Sequence, residues 1–126
     1  RAPRAGRPRG GGHRQRRPGA RRVYIIVHRT PKAGNPVLAA ARGRVAAVLS
    51  GHNHRYEREV VDGVLVLTVG TGGASRSEDE RLTPRSAGAQ VSFADYGLVR
   101  VDDGPREARM VFIDTRGRVR DRVSVP

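Results

Sequence analysis

The chain is 126 residues long, lacks cysteine, and carries 25 Lys and Arg against 12 Asp and Glu, a formal net charge of +13. Its length allows one domain with a modest core, or part of a larger one. The lack of cysteine excludes disulfides, thiolate metal sites and thiol nucleophiles, and no apolar run approaches the ~18–20 residues that span a bilayer.

The charge is unevenly spread. Residues 1–22 hold nine Arg and no acid, which leaves 16 basic against 12 acidic residues from Val23 onward, a surplus of 4. This opening is rich in Gly, Pro and Arg and has too little apolar surface to fold. A disordered tail over 1–22 is therefore expected ahead of a folded region over 23–126. The chain begins with Arg1 and shows no secretion signal, which places the expected start of translation upstream. An Arg-rich arm can bind phosphate polyanions through counterion release, so a basic nucleic-acid-binding module is one reading. Two features weigh against it. The tail has no aromatic residue to stack on bases, and Arg outnumbers Lys 24 to 1 along the whole chain, a compositional bias not confined to the tail.

Val23–His28, "VYIIVH", is a continuous apolar run rich in β-branched residues, which predicts a strand buried on both faces. "RTPKAGNP" follows as a loop, and "VLAAARGR" predicts a two-turn helix stopped by Gly43. "VAAVLS", Val45–Ser50, is a second buried strand, so the first 28 folded residues form a βαβ unit with a parallel strand pair. "RYEREVVDGVLVLTVG" predicts a hairpin turning on Asp62-Gly63, and "TGGASRSEDERLTPRSAGAQ" a long polar surface loop. "YGLVRVDD", "EARMVFID" and "RVRDRVSV" alternate apolar and polar residues and predict a three-stranded antiparallel meander with one buried face. The fold class is α/β, mostly β after residue 45.

Chemistry concentrates at the histidines. His28 and His52 stand where the two predicted parallel strands end, the edge at which such sheets place their ligand sites. In extended backbone His52 and His54 share a face roughly 6.6 Å apart, at about 3.3 Å per residue. Such a pair can clamp one ion or serve two adjacent ions, with Zn, Fe or Mn suited to neutral imidazole. A lone histidine at a strand end, such as His28, is more often structural, and a non-catalytic fold remnant whose histidines are merely structural is a further reading. Asn53 lies between the pair and is expected to brace the loop. Gly70, Gly72 and Gly73 lack the Lys-Ser/Thr that follows a phosphate-binding loop, which makes them a structural turn.

"VLSGHNHRYER" resembles the last metal-binding motif, Gly-His-x-His, of the calcineurin-like metallophosphoesterases, and its trailing Tyr-Glu-Arg resembles the purple acid phosphatase-like branch. "VYIIVHRTP" resembles the preceding strand-plus-histidine motif, "GVLVLTVGTGGAS" the strand and Gly-rich turn that follow, and "YGLVRVDD" with "MVFIDTRGRVRDRVSV" the closing strands. The likeness runs from about Val23 to Val125. It implies a four-layer αββα sandwich and a metal-dependent hydrolase of phosphate monoesters or diesters. It also implies a centre of two Fe, Mn or Zn ions, with His28 and His52 on one ion and His54 on the other. Arg29 is then a candidate phosphate contact. Tyr56 and Arg58 are placed either at the rim of the site, where Tyr56 would touch substrate, or in the packing of the hairpin.

The sequence also departs from that pattern. The family's Asp-x-His, Gly-Asp-x-x-Asp and Gly-Asn-His strings, which carry the first Asp, the bridging Asp and an Asn ligand, do not occur. The expectation is therefore the C-terminal half of such a domain, dependent on a missing N-terminal segment and inactive alone. The apolar faces of Val23–Val27 and Val45–Leu49 are expected to lack part of their packing partners. The segment between His28 and His52 holds no further histidine, so no histidine acid or base is expected from it.

Overall fold

The computed structural model describes residues 22–74 and 85–126. Residues 1–21 of the predicted tail over 1–22, and the middle of the predicted surface loop, 75–84, lie outside the described residues. The elements in chain order are β1 (Tyr24–Val27), α1 (Pro36–Ala41), β2 (Ala47–Ser50), β3 (Tyr56–Val61), β4 (Val64–Val69), β5 (Val91–Phe93), β6 (Gly97–Asp103), β7 (Ala108–Asp114) and β8 (Val119–Val125). The class is mostly β, in two sheets: a five-stranded sheet ordered β1-β2-β4-β3-β5 and a three-stranded sheet ordered β6-β7-β8.

The βαβ unit, the hairpin and the meander all form. β1 pairs with β2, and β2 with β4, in parallel. β3 pairs antiparallel with both β4 and β5. α1 starts at its cap: Asn35 accepts a hydrogen bond from the Val37 N–H at 2.9 Å, and Pro36 takes the first helical position, where its missing N–H costs nothing. Gly43, at φ +69°, turns the chain back toward β2. The hairpin turn uses two left-handed residues, Asp62 at φ +50° and Gly63 at φ +77°, as a two-residue loop between twisted strands requires. β5 was not foreseen. Three residues are too few to show alternation, and they take strand form because β3 offers them a pairing edge.

Two apolar clusters sandwich the large sheet. On one face Leu38 and Ala41 of α1 meet Val48, Val64 and Val66. On the other Ala47, Tyr56 and Leu67 meet Met110 and Phe112 of the small sheet. Tyr56 packs against Phe112 and Phe93 with ring centroids 4.7 and 5.1 Å apart, so an aromatic trio holds the sheets together. The expectation that β2 would lack partners is overturned, because Ala47 and Val48 are fully buried, one against each cluster. β1 agrees with that expectation on one face and departs from the burial on both faces that its apolar run predicts. It is the edge strand and is not buried on both faces: Ile25 and Val27 pack under α1, but Ile26 is 80% exposed. The small sheet does not reach that end of the edge strand, so a β-branched run alone does not bury both faces there.

The sheets are also joined by polar contacts. The Tyr56 hydroxyl donates to Asp121 at 2.7 Å, and the Arg58 guanidinium donates to both Asp121 oxygens at 2.8 and 3.3 Å. Arg22, which the composition assigned to the tail, donates to Asp103 at 2.5 Å and to the Gly104 and Pro126 carbonyls. At the β7–β8 turn, burial works against the charge of Asp114. The Arg118 and Arg116 backbone N–H groups and the Arg118 guanidinium outweigh it and hold the carboxyl below the usual carboxylate range.

Candidate functional site

β1, β2 and β4 run the same way, so their C-terminal ends meet at one edge of the sheet. His28 follows β1, Gly51 and His52 follow β2, and Gly70 follows β4. The Gly51 N–H donates to the His28 carbonyl at 3.1 Å, extending the β1–β2 pairing by one step and setting the two histidine backbones side by side. The imidazoles then touch: His52 Nδ1 lies 3.2 Å from His28 Nε2, with the rings inclined at 70°.

His52 does not have the extended backbone expected of a His-x-His strand end. It sits at φ +66°, the left-handed region, in a three-residue turn closed by the Asn53 N–H on the Gly51 carbonyl at 2.8 Å. A side chain there costs on the order of 1–2 kcal/mol, which glycine would avoid. Strain of this kind persists where the surrounding structure imposes it, and it concentrates at functional sites.

Gly70 holds this turn from below. A Cβ on Gly70 would lie 1.8 Å from the Asn53 carbonyl oxygen and 3.2 Å from the His54 Cα. The loop carrying both histidines therefore rests on the glycine's bare backbone. Asn53 acts on the loop through its main chain: its carbonyl accepts the Arg55 N–H at 2.8 Å and presses on Gly70.

Beneath the histidines lies a hydroxyl cluster that sequence reasoning missed. Thr30 Oγ1 is 2.7 Å from Ser50 Oγ and 2.8 Å from Thr68 Oγ1, which ties the loop after β1 to the ends of β2 and β4. The strand registers set Ser50, Thr68, Glu57 and Ser92 opposite one another, a polar row across the α1-covered face. The signal was present in "VLSG" and "LTVG", where a hydroxyl interrupts an apolar run just before glycine. Glu57 and Glu59 are 3% and 7% exposed. Glu57 accepts hydrogen bonds from the Ser86 N–H and the Ser92 hydroxyl and lies 3.3 Å from the Arg55 guanidinium.

Of the predicted site residues, the structure brings together His28, His52 and Arg29. Arg29 and His52 line a cleft of about 730 Å³ that also reaches Lys32, Glu57, Glu59 and Ser86. Tyr56 is corrected: it is 2% exposed, between the sheets, with its hydroxyl on Asp121, so it packs the hairpin and does not reach the rim. The strand period explains this, since Tyr56 and Arg58 face the small sheet while Glu57 and Glu59 face the cleft. His54 is half-buried, and among the described residues no three His, Cys, Asp or Glu side chains are grouped to hold an ion.

The donor geometry tests the expected metals. Two imidazole nitrogens each about 2.0–2.1 Å from one tetrahedral ion lie roughly 3.3 Å apart. His28 Nε2 and His52 Nδ1, at 3.2 Å, stand at the spacing of a hydrogen bond between the two rings, which is also the spacing of two ligands of a single ion. The described residues do not fit a two-ion centre, since they bring neither His54 nor a carboxylate to that pair. No protein-family model matches the chain, and no characterised protein sequence matches it.

Proposed function

We propose that this chain is the C-terminal part of a metal-dependent phosphoric ester hydrolase of the purple acid phosphatase-like kind, in which His28 and His52 hold one ion. In this reading the two packed sheets belong to a four-layer αββα sandwich. Further metal ligands, carboxylates among them, come from outside the described residues, and His54 serves a second ion only when those ligands are supplied. The observation that carries the reading is His52 itself: a non-glycine residue kept in left-handed backbone with its ring nitrogen 3.2 Å from that of His28. A fold that needed only the turn would be more stable with glycine there.

When bound, the ion would neutralise phosphoryl oxygen charge and acidify a water. The chain's own residues do the positioning. Gly70 and the Gly51–Asn53 turn hold His52, and Thr30, anchored on Ser50 and Thr68, fixes the loop that presents Arg29 to the phosphate. The test is metal content after incubation with Mn²⁺ or Zn²⁺. One ion per chain is expected for the wild type, with loss in both His28→Ala and His52→Ala; unchanged content in the variants refutes the site. The isolated chain is expected to leave p-nitrophenyl phosphate unhydrolysed, and robust turnover would refute its dependence on further ligands.

A further inference from the structure

Glu59 is only 7% exposed, yet among the described residues the only hydrogen-bond partner of its carboxylate is the neutral Ser86 hydroxyl, at 2.9 Å, and no cation pairs with it. A buried carboxylate is costly unless a positive group approaches it. Glu59 lines the cleft, beside Glu57 on the same face of β3. The β1–α1 loop contributes two cations to that cleft, Arg29 and Lys32, both exposed and without an ion pair among the described residues. The cavity thus joins a basic loop next to His52 to an acidic, buried strand face. Its volume of about 730 Å³ suits a small organic ligand.

We infer that the cleft binds a phosphate ester whose alcohol carries an ammonium group, with the phosphate toward Arg29, Lys32 and His52 and the ammonium against Glu59 and Glu57. The inference rests on the phosphoesterase reading for the phosphate end alone. Glu59 supplies the specificity, because a neutral alcohol would leave its charge uncompensated, whereas an ammonium both pairs with it and donates hydrogen bonds to it.

The experiment is titration calorimetry on the full chain with O-phosphoethanolamine, and with glycerol 3-phosphate as the ester that lacks an ammonium. O-phosphoethanolamine is expected to bind at least tenfold more tightly, about 1.4 kcal/mol. Glu59→Gln, which keeps the shape and can still accept from Ser86, is expected to abolish that preference by weakening O-phosphoethanolamine binding, while glycerol 3-phosphate binds no more weakly than to the wild type. Equal affinities of the two esters in the wild type, binding of neither the soluble esters nor the vesicles, or a preference that survives Glu59→Gln overturns the proposal. Vesicles containing phosphatidylethanolamine form a second arm: Glu59-dependent binding to vesicles alone identifies a lipid headgroup as the source, and to the soluble ester a free metabolite, and either supports the ammonium site. Metal content separates the two readings. Loss of ester discrimination with a His52-dependent ion retained refutes this inference alone, whereas discrimination without any His52-dependent ion refutes the metal site alone.

Discussion

Gly70→Ala places a methyl group where the structure has no room. The new Cβ would sit 1.8 Å from the Asn53 carbonyl oxygen and 2.7 Å from its carbonyl carbon. Ordinary carbon–oxygen contact is near 3.3 Å, so the loop must move by about 1.5 Å. The obstacle is backbone, tied by the Asn53–Gly51 and Arg55–Asn53 hydrogen bonds, and cannot swing aside as a side chain would. Overpacking of this kind costs roughly 1–3 kcal/mol. For a domain of this size each kcal/mol lowers Tm by about 4–8 °C. The same shift carries His52 away from His28, whose 3.2 Å spacing leaves no slack for a shared ion. Gly70→Ala is therefore expected to lower Tm measurably and to abolish ion retention although no ligand has been removed. Gly72→Ala is the matched control, with nothing within 4 Å of its new Cβ, and is expected to stay within about 0.5 kcal/mol of wild type. The reasoning is refuted if Gly70→Ala melts and binds metal like wild type, or if the two variants behave alike.

His52→Gly is expected to raise stability by about 1 kcal/mol, by relieving the left-handed backbone, while removing ion retention; a destabilised variant in urea titration would show that the ring, not function, holds the turn. Tyr56→Phe is expected to cost about 1–2 kcal/mol by deleting the hydrogen bond to Asp121 while keeping the aromatic packing. Burial first, then the bond to Asp121, raises the Tyr56 hydroxyl's pKa well above its ordinary value. The unfolded chain therefore releases that proton first as pH rises. The stability it represents is complete below about pH 10 and falls above it, by up to about 1.4 kcal/mol per pH unit. Urea melts between pH 9 and 11 should show that decline weakened in Tyr56→Phe; an equal decline would place its origin elsewhere, for instance in Tyr24, which is raised in the same direction.

Much of the local structure was legible because it is written in short-range chemistry. The Asp62-Gly63 turn, the stop at Gly43 and the alternation of β6, β7 and β8 each depend on neighbouring residues, so their elements stand where the local pattern places them. The histidines at the strand ends were legible for the same reason, because a strand that stops at Gly51 leaves His52 and its neighbours at the sheet edge.

Tertiary structure alone decided matters that depend on the partner across a sheet. It made β1 an edge strand and left Ile26 in solvent, although its composition matches that of buried β2. It sent Tyr56 into the core and Glu57 and Glu59 to the cleft, because the register of β3 against β4 and β5 selects which alternate face meets the small sheet. It put His52 into left-handed backbone over Gly70, a close approach of segments 17 residues apart that no local pattern encodes. Local sequence thus determined which residues end each strand; packing between distant strands determined which of them face one another.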